Sequence, residues 1–125
     1  MQLPPPRRDE VLKESALVIR GGFNQTHDMY DNAIRVHDPE LGYCLSGRAG
    51  NNTTVEYLVN KHLVPNPFIV RSTAGRIREA GFEVLLTGKV THCTFYLGHD
   101  LTDEVLERFA AVFDPPEPNT YRTKP

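Results

Sequence analysis

Three polar side chains alternate along one short segment of the sequence: His92, Thr94 and Tyr96. Successive side chains of a strand point to opposite faces, so we expect these three on one face and Cys93 and Phe95 on the other. A histidine can move protons near neutral pH, and a neighbouring hydroxyl can bind a phosphate oxygen or orient the imidazole. We therefore predict His92 and Thr94 as catalytic and Tyr96 as substrate-binding. The alternative is a strand histidine that is hydrogen-bonded at the sheet surface.

Two arginines supply a second candidate feature. Arg20 ends a predicted strand directly before Gly21 and Gly22, and Arg71 ends another directly before a predicted helix start. An arginine beside free backbone N–H groups is suited to bind an anion. We predict Arg20 and Arg71 as substrate-binding residues. For Arg71 the alternative is an ion pair with a carboxylate.

The segment His-Cys-Thr at 92–94 resembles one half of the HxT signature of two-histidine phosphoesterases. That family uses two such motifs, whereas this chain has one. The size, the charge pattern and the histidine-hydroxyl face together resemble small bacterial toxin enzymes of the ribonuclease type. This resemblance implies metal-independent cleavage of RNA, or of a nucleotide phosphodiester, through the ribose 2′-hydroxyl. His92 would then be the acid or base, and Arg20 and Arg71 would stabilise the phosphorane.

A second enzyme class is open. Arg20 before two glycines, followed by Ser46 after an aromatic-bearing strand, resembles the Arg and Ser elements with which ADP-ribosyltransferases grip NAD. That resemblance implies NAD as cofactor, whereas the ribonuclease interpretation needs none, and it makes Ser46 a substrate-binding residue. Glu83 is the candidate for the late glutamate of such enzymes. A third class is a non-enzymatic protein-interaction module.

Composition limits the classes further. The chain has 125 residues, of which 39% are apolar, and a formal net charge of −2. That balance argues against a general polyanion binder, although a local basic patch can still bind nucleic acid. No apolar run approaches the roughly 20 residues that span a bilayer, and no secretory signal is visible, so we expect a cytoplasmic protein. Cys44 and Cys93 have no zinc spacing, and we predict neither a metal site nor a disulfide.

Both ends differ from the middle of the chain. They are rich in proline and charge and poor in apolar residues, a composition typical of segments that do not fold alone. We predict a flexible arm over residues 1–14, one domain over 15–113 and a flexible tail over 114–125. A protein partner or inhibitor is expected to contact these ends.

Hydrophobic periodicity predicts the element order βαβαβαββα. Strands are expected at 16–21, 42–47, 67–71, 82–86 and 91–97, and helices at 27–37, 51–63, 72–81 and 101–113. Thr53 and Glu56 form a candidate capping box for the second helix. The last two strands flank a short turn at 87–89 and predict an antiparallel hairpin. The fold class is α+β, with a single layer of helices on a small mixed, largely antiparallel sheet.

Overall fold

The computed structural model describes residues 6–7, 10–61 and 64–122. Its helices are α1 (Thr26–Ala33), α2 (Val55–Lys61), α3 (Ala74–Glu79) and α4 (Asp103–Ala111). Its strands are β1 (Leu17–Gly21), β2 (His37–Asp38), β3 (Gly42–Gly50), β4 (Phe68–Thr73), β5 (Glu83–Leu86), β6 (His92–Tyr96) and β7 (Glu117–Pro118). None of the helices in the described part of the chain has the length and apolar character needed to cross a bilayer.

The strands form one seven-stranded sheet in the order β5-β6-β3-β1-β4-β7, and β2 pairs with β3. The named pairs are antiparallel, as hairpins and short connections allow. The predicted α+β class, with helices on a largely antiparallel sheet, is confirmed. The predicted hairpin of β5 and β6 is present as well, and its connection runs from residue 87 to 91.

Alternation along the central strands divides the apolar residues between the two faces. Val18 belongs to the larger core, under α1, α3 and α4, whereas its neighbour Ile19 belongs to a smaller cluster under α2. Three helices therefore form the main layer, and α2 covers part of the opposite face. Cys93 and Phe95 lie in the larger core, as the alternation along residues 92–96 predicts.

The boundaries of all four helices differ from the predicted ones, and two of the differences change the position of named residues. The helix α1 ends at Ala33, and His37 lies in β2 instead of on the helix. The helix α2 is capped by Thr54, whose hydroxyl accepts from the backbone N–H of Tyr57 at 3.2 Å, so the predicted cap at Thr53 is wrong by one residue. Both candidates are threonines, a residue type that N-cap positions favour, so residue type alone does not distinguish them.

The packed unit is wider than the predicted boundaries of 15 and 113. Leu12 is 1% exposed and belongs to the larger core. The strand β7 pairs with β4 inside the segment predicted as a tail, and Tyr121 packs against the smaller cluster. Residues 1–5, 8–9 and 123–125, on which the prediction of flexible ends also falls, lie outside the described residues.

Candidate functional site

A row of basic side chains crosses the sheet on the face that α2 partly covers. His92 of β6 pairs with Arg48 of β3, Arg48 pairs with Ile19 of β1, and Ile19 pairs with Arg71 of β4. Directly paired residues of antiparallel strands share one face. The row therefore spans three strand spacings, roughly 14 Å, with Ile19 between its two arginines.

A hollow of about 230 Å³ opens over the His92 end of this row. Its lining comes from β1, β3, β6 and the connection between α2 and β4: Ile19, Arg20, Gly21, Ser46, Gly47, Arg48, Val64, Pro65, Asn66 and His92. Arg48 is half-buried and forms no hydrogen bond or ion pair with the residues that the structure describes. A partly desolvated guanidinium without a counter-ion, beside an imidazole, is suited to bind a phosphate.

Thr87 connects two residues of the predicted polar face, His92 and Thr94. Its hydroxyl oxygen lies 2.8 Å from Nδ1 of His92 and 2.8 Å from the hydroxyl oxygen of Thr94. Burial raises the pKa of the Tyr96 phenol to about 12. The result is a continuous chain of polar contacts from the hollow into the protein.

Only one member of the predicted triple lines the hollow. His92 is half-buried there, whereas Thr94 is 3% exposed and Tyr96 is 4% exposed. Thr94 supports the contact of Thr87 with His92, and the buried ring of Tyr96 offers no open face for a base to stack on. The polar triple is therefore on one face, but the ring of Tyr96, predicted to bind substrate, is buried away from the hollow.

The predicted pair Arg20 and Ser46 is in contact. Nε of Arg20 donates to the backbone oxygen of Ser46 at 3.0 Å, and Nη1 donates to Oδ1 of Asn24 at 2.5 Å. Burial lowers the pKa of Arg20 to about 10, so the guanidinium remains charged at neutral pH. Its Nη2 forms no hydrogen bond with the described residues, which leaves donors for an external acceptor.

Arg71 is occupied, which corrects its predicted role in substrate binding. Its Nε and Nη2 donate to the two carboxylate oxygens of Glu117 at 3.0 and 2.8 Å, and Nη2 also donates to the Tyr121 hydroxyl at 2.7 Å. The partner that the sequence left open for Arg71 is therefore the carboxylate delivered by β7. Arg48, two residues after Ser46, takes the place of Arg71 as the arginine beside His92.

Asn66 reaches the hollow because residue 21 is a glycine. A Cβ added to Gly21 would lie 2.1 Å from Oδ1 of Asn66, far inside contact distance. The amide of Asn66 therefore lies directly over the end of β1. This contact joins residues 45 positions apart, and no local pattern indicates it.

Sequence reasoning missed three residues of the site: Arg48, Thr87 and Asn66. Arg48 carried a weak signal: it lies one position beyond the predicted strand 42–47, and in the longer observed strand β3 it shares the face of Ser46, two positions earlier. Thr87 stood in the predicted turn and was assigned no role. Within the described residues, no group of three or more His, Cys, Asp or Glu side chains is arranged to hold a metal ion.

Comparison with known proteins identifies no relative of this chain. No family model, no curated protein and no solved structure matches the chain. The function is therefore inferred from the geometry of the hollow.

Proposed function

We propose that the protein is a small toxin-like ribonuclease of the cytoplasm, acting on an RNA or nucleotide phosphodiester in the hollow beside β3 and β6. The observation that carries the proposal is the pairing of His92 with Arg48, an arginine that has no ion-pair partner among the described residues. Charge-assisted hydrogen bonds to phosphate are strong, and their strength increases where water is partly excluded.

The residues support a cleavage that needs no metal. His92 removes the proton of the ribose 2′-hydroxyl, and the freed oxygen attacks the adjacent phosphorus. The bond to the 5′-oxygen breaks, that oxygen takes a proton from water, and the imidazolium returns its proton to the hydroxide. Arg48 stabilises the negative charge that develops on the phosphorane. The products are a 2′,3′-cyclic phosphate and a free 5′-hydroxyl.

The network behind His92 supports its role in proton transfer. Thr87 holds Nδ1, and Thr94 holds Thr87 in turn. Arg20 lies at the end of β1 and lines the hollow together with Ser46 and Asn66. A general acid or base must be oriented as well as suitably charged, and this arrangement supplies the orientation from buried groups.

The test is cleavage of a short RNA by the purified chain in the presence of a metal chelator. We expect His92→Ala and Arg48→Gln each to lower the rate by about 10²-fold or more. His99→Ala is the matched control, because His99 contacts His37 at 3.2 Å and does not line the hollow. Absence of cleavage by the folded wild-type chain, together with unaltered growth of cells that express it, would refute the ribonuclease and favour a protein-interaction module.

The contact between Arg20 and Ser46 favours one second candidate, an NAD-dependent ADP-ribosyltransferase. It brings together the two residues on which that interpretation depends, although Arg20 binds the backbone of Ser46 and not its hydroxyl. If NAD binds here, millimolar NAD raises the melting temperature, and Arg20→Ala removes the increase. An unchanged melting temperature would refute this candidate.

The toxin interpretation also implies a protein inhibitor. We propose that it contacts the ends of the chain, where proline and charge are concentrated. Co-expression with a genomically adjacent small protein should restore growth if the chain is toxic, and a toxic chain that no such partner neutralises would contradict this part of the proposal.

A further inference from the structure

A second hollow, of about 400 Å³, adjoins the first at the start of α1. It shares Arg20, Gly21 and Asn66 with the first hollow, and its remaining lining comes from residues 22–32. The two hollows therefore meet at the end of β1. A ligand that places a phosphate beside Arg48 and His92 can extend past Arg20 into this second space.

Asn24 presents an unused donor at this place. It is 9% exposed, and its Nδ2 has no hydrogen-bond partner among the described residues. Its Oδ1 accepts from Arg20, which has donors only, so the orientation of the amide is fixed. The backbone of Asn24 has φ of 54°, a left-handed conformation that costs energy outside glycine. A buried donor without an acceptor destabilises the protein, and a bound acceptor would remove that cost.

Phe23 supplies a flat apolar surface at the rim. It is 50% exposed, although it is a large aromatic residue. Its ring centroid lies 4.8 Å from that of Phe68, at an interplanar angle of 33°, so one face of the ring is supported. Supported aromatic rings at the edge of a groove are the surfaces on which nucleic-acid bases stack.

The acidic residues of α1 define the chemistry of this end. Asp28 and Asp31 lie three positions apart on the helix and line the hollow together. Carboxylates repel a phosphate but accept hydrogen bonds from hydroxyl and amino groups. The phosphate end of a ligand is thus favoured beside Arg48 and the sugar or base end beside these carboxylates.

We propose that the second hollow is a nucleoside subsite: the base stacks on Phe23, Asp28 and Asp31 accept from sugar hydroxyls or base amino groups, and Nδ2 of Asn24 donates to the ligand. The subsite deepens the ribonuclease proposed above and rests on it for the position of the phosphate. It makes a ribonucleotide, and not inorganic phosphate, the unit that the groove recognises.

Titration of the full chain with inorganic phosphate and with each of the four ribonucleoside 3′-monophosphates tests the subsite. We expect at least one nucleotide to bind about tenfold or more tightly than phosphate. Phe23→Ala should reduce that preference and leave phosphate binding unchanged, and Asn24→Gly should reduce the preference as well. Glycine is used at position 24 because it keeps the left-handed backbone. Tyr57→Ala, at an aromatic residue 48% exposed on α2, is the matched control.

The outcomes separate this subsite from the proposed cleavage. Nucleotides that bind no more tightly than phosphate, or a preference that persists in both Phe23→Ala and Asn24→Gly, would overturn the subsite. A chain that prefers nucleotides through Phe23 but does not cleave RNA supports the subsite and refutes only the ribonuclease. Melting curves of each variant show that a lost preference does not arise from unfolding.

Discussion

The hydroxyl oxygen of Thr87 lies 2.8 Å from Nδ1 of His92. Thr87 is itself fully buried, so the imidazole is held from inside the protein. A hydroxyl can donate to or accept from a ring nitrogen, so the contact holds the orientation of the imidazole in either tautomer. The contact therefore determines how His92 presents its other nitrogen to a substrate.

Thr87→Val tests this positioning role. Valine fills nearly the same space without a hydroxyl, so it removes the contacts to His92 and Thr94 and leaves the buried Thr94 hydroxyl with fewer partners. We expect a loss of stability of about 1–3 kcal/mol, a changed ¹⁵N shift of Nδ1 and a loss of rate smaller than that of His92→Ala. Thr87→Ser, which keeps the hydroxyl, should restore the shift and the rate. An unchanged ¹⁵N shift in Thr87→Val would show that Thr87 does not orient the ring.

The local part of this site was predictable and the long-range part was not. Alternation along residues 92–96 correctly places Cys93 in the core, because the two-residue period belongs to the strand itself. The contact of Thr87 with His92 depends on the length of the β5–β6 connection. The pairing of Arg48 with His92 depends on the register between β3 and β6. Register is set by packing across the whole sheet, which a single sequence does not reveal.

The error at Arg71 has a related origin. Its partner Glu117 lies 46 positions further along the chain, in a segment that composition assigned to a tail. Few apolar residues hold that segment; backbone pairing with β4 and the Arg71–Glu117 ion pair hold it instead. A criterion based on apolar content misses a segment that is attached in this way.

Acid titration of stability tests the attachment. Hydrogen bonds from Arg71 lower the pKa of Glu117 below its ordinary value. A carboxyl group with a lowered pKa adds stability above its unfolded-state pKa, and this contribution disappears as pH falls through the folded-state pKa. We expect Glu117→Gln to cost about 1 kcal/mol at pH 7 in denaturant unfolding. The difference from wild type should shrink towards zero as the medium becomes acidic.

Asp114→Asn is the control for that titration. Asp114 pairs with Arg76 at 2.9 Å, but both side chains are largely exposed. Solvent screens such a pair, so its removal should change stability little at any pH. A stability difference for Glu117→Gln that stays constant from neutral to acidic pH would contradict an electrostatic attachment of β7.

A single introduced carboxylate can distinguish the core face of β6 from the face that lines the hollow. Cys93 is 0% exposed, and burial raises the pKa of its thiol to about 12. Cys93→Asp places a carboxylate in the apolar core and should cost at least about 3 kcal/mol, or abolish folding, by circular dichroism and thermal melting. His92→Asp, with the same charge one residue earlier at the half-buried hollow, should keep the fold. Equal stability of the two variants would mean that the core and site faces are wrongly assigned.

The contact between Gly21 and Asn66 predicts a coupled pair of substitutions at the junction of the two hollows. The added Cβ of Gly21→Ala would lie 2.1 Å from Oδ1 and 2.5 Å from Cγ of Asn66, so the amide must move away. We expect Gly21→Ala to lower both stability and nucleotide binding.

Asn66→Ala removes the clashing atoms and leaves a Cβ at 3.1 Å, a distance that small shifts accommodate. The double variant should therefore be more stable than the sum of the single effects implies, by about 0.5–3 kcal/mol in a double-mutant cycle. It should still bind nucleotide weakly, because the amide is absent. Strictly additive effects on stability would show that Asn66 does not lie over Gly21 in solution.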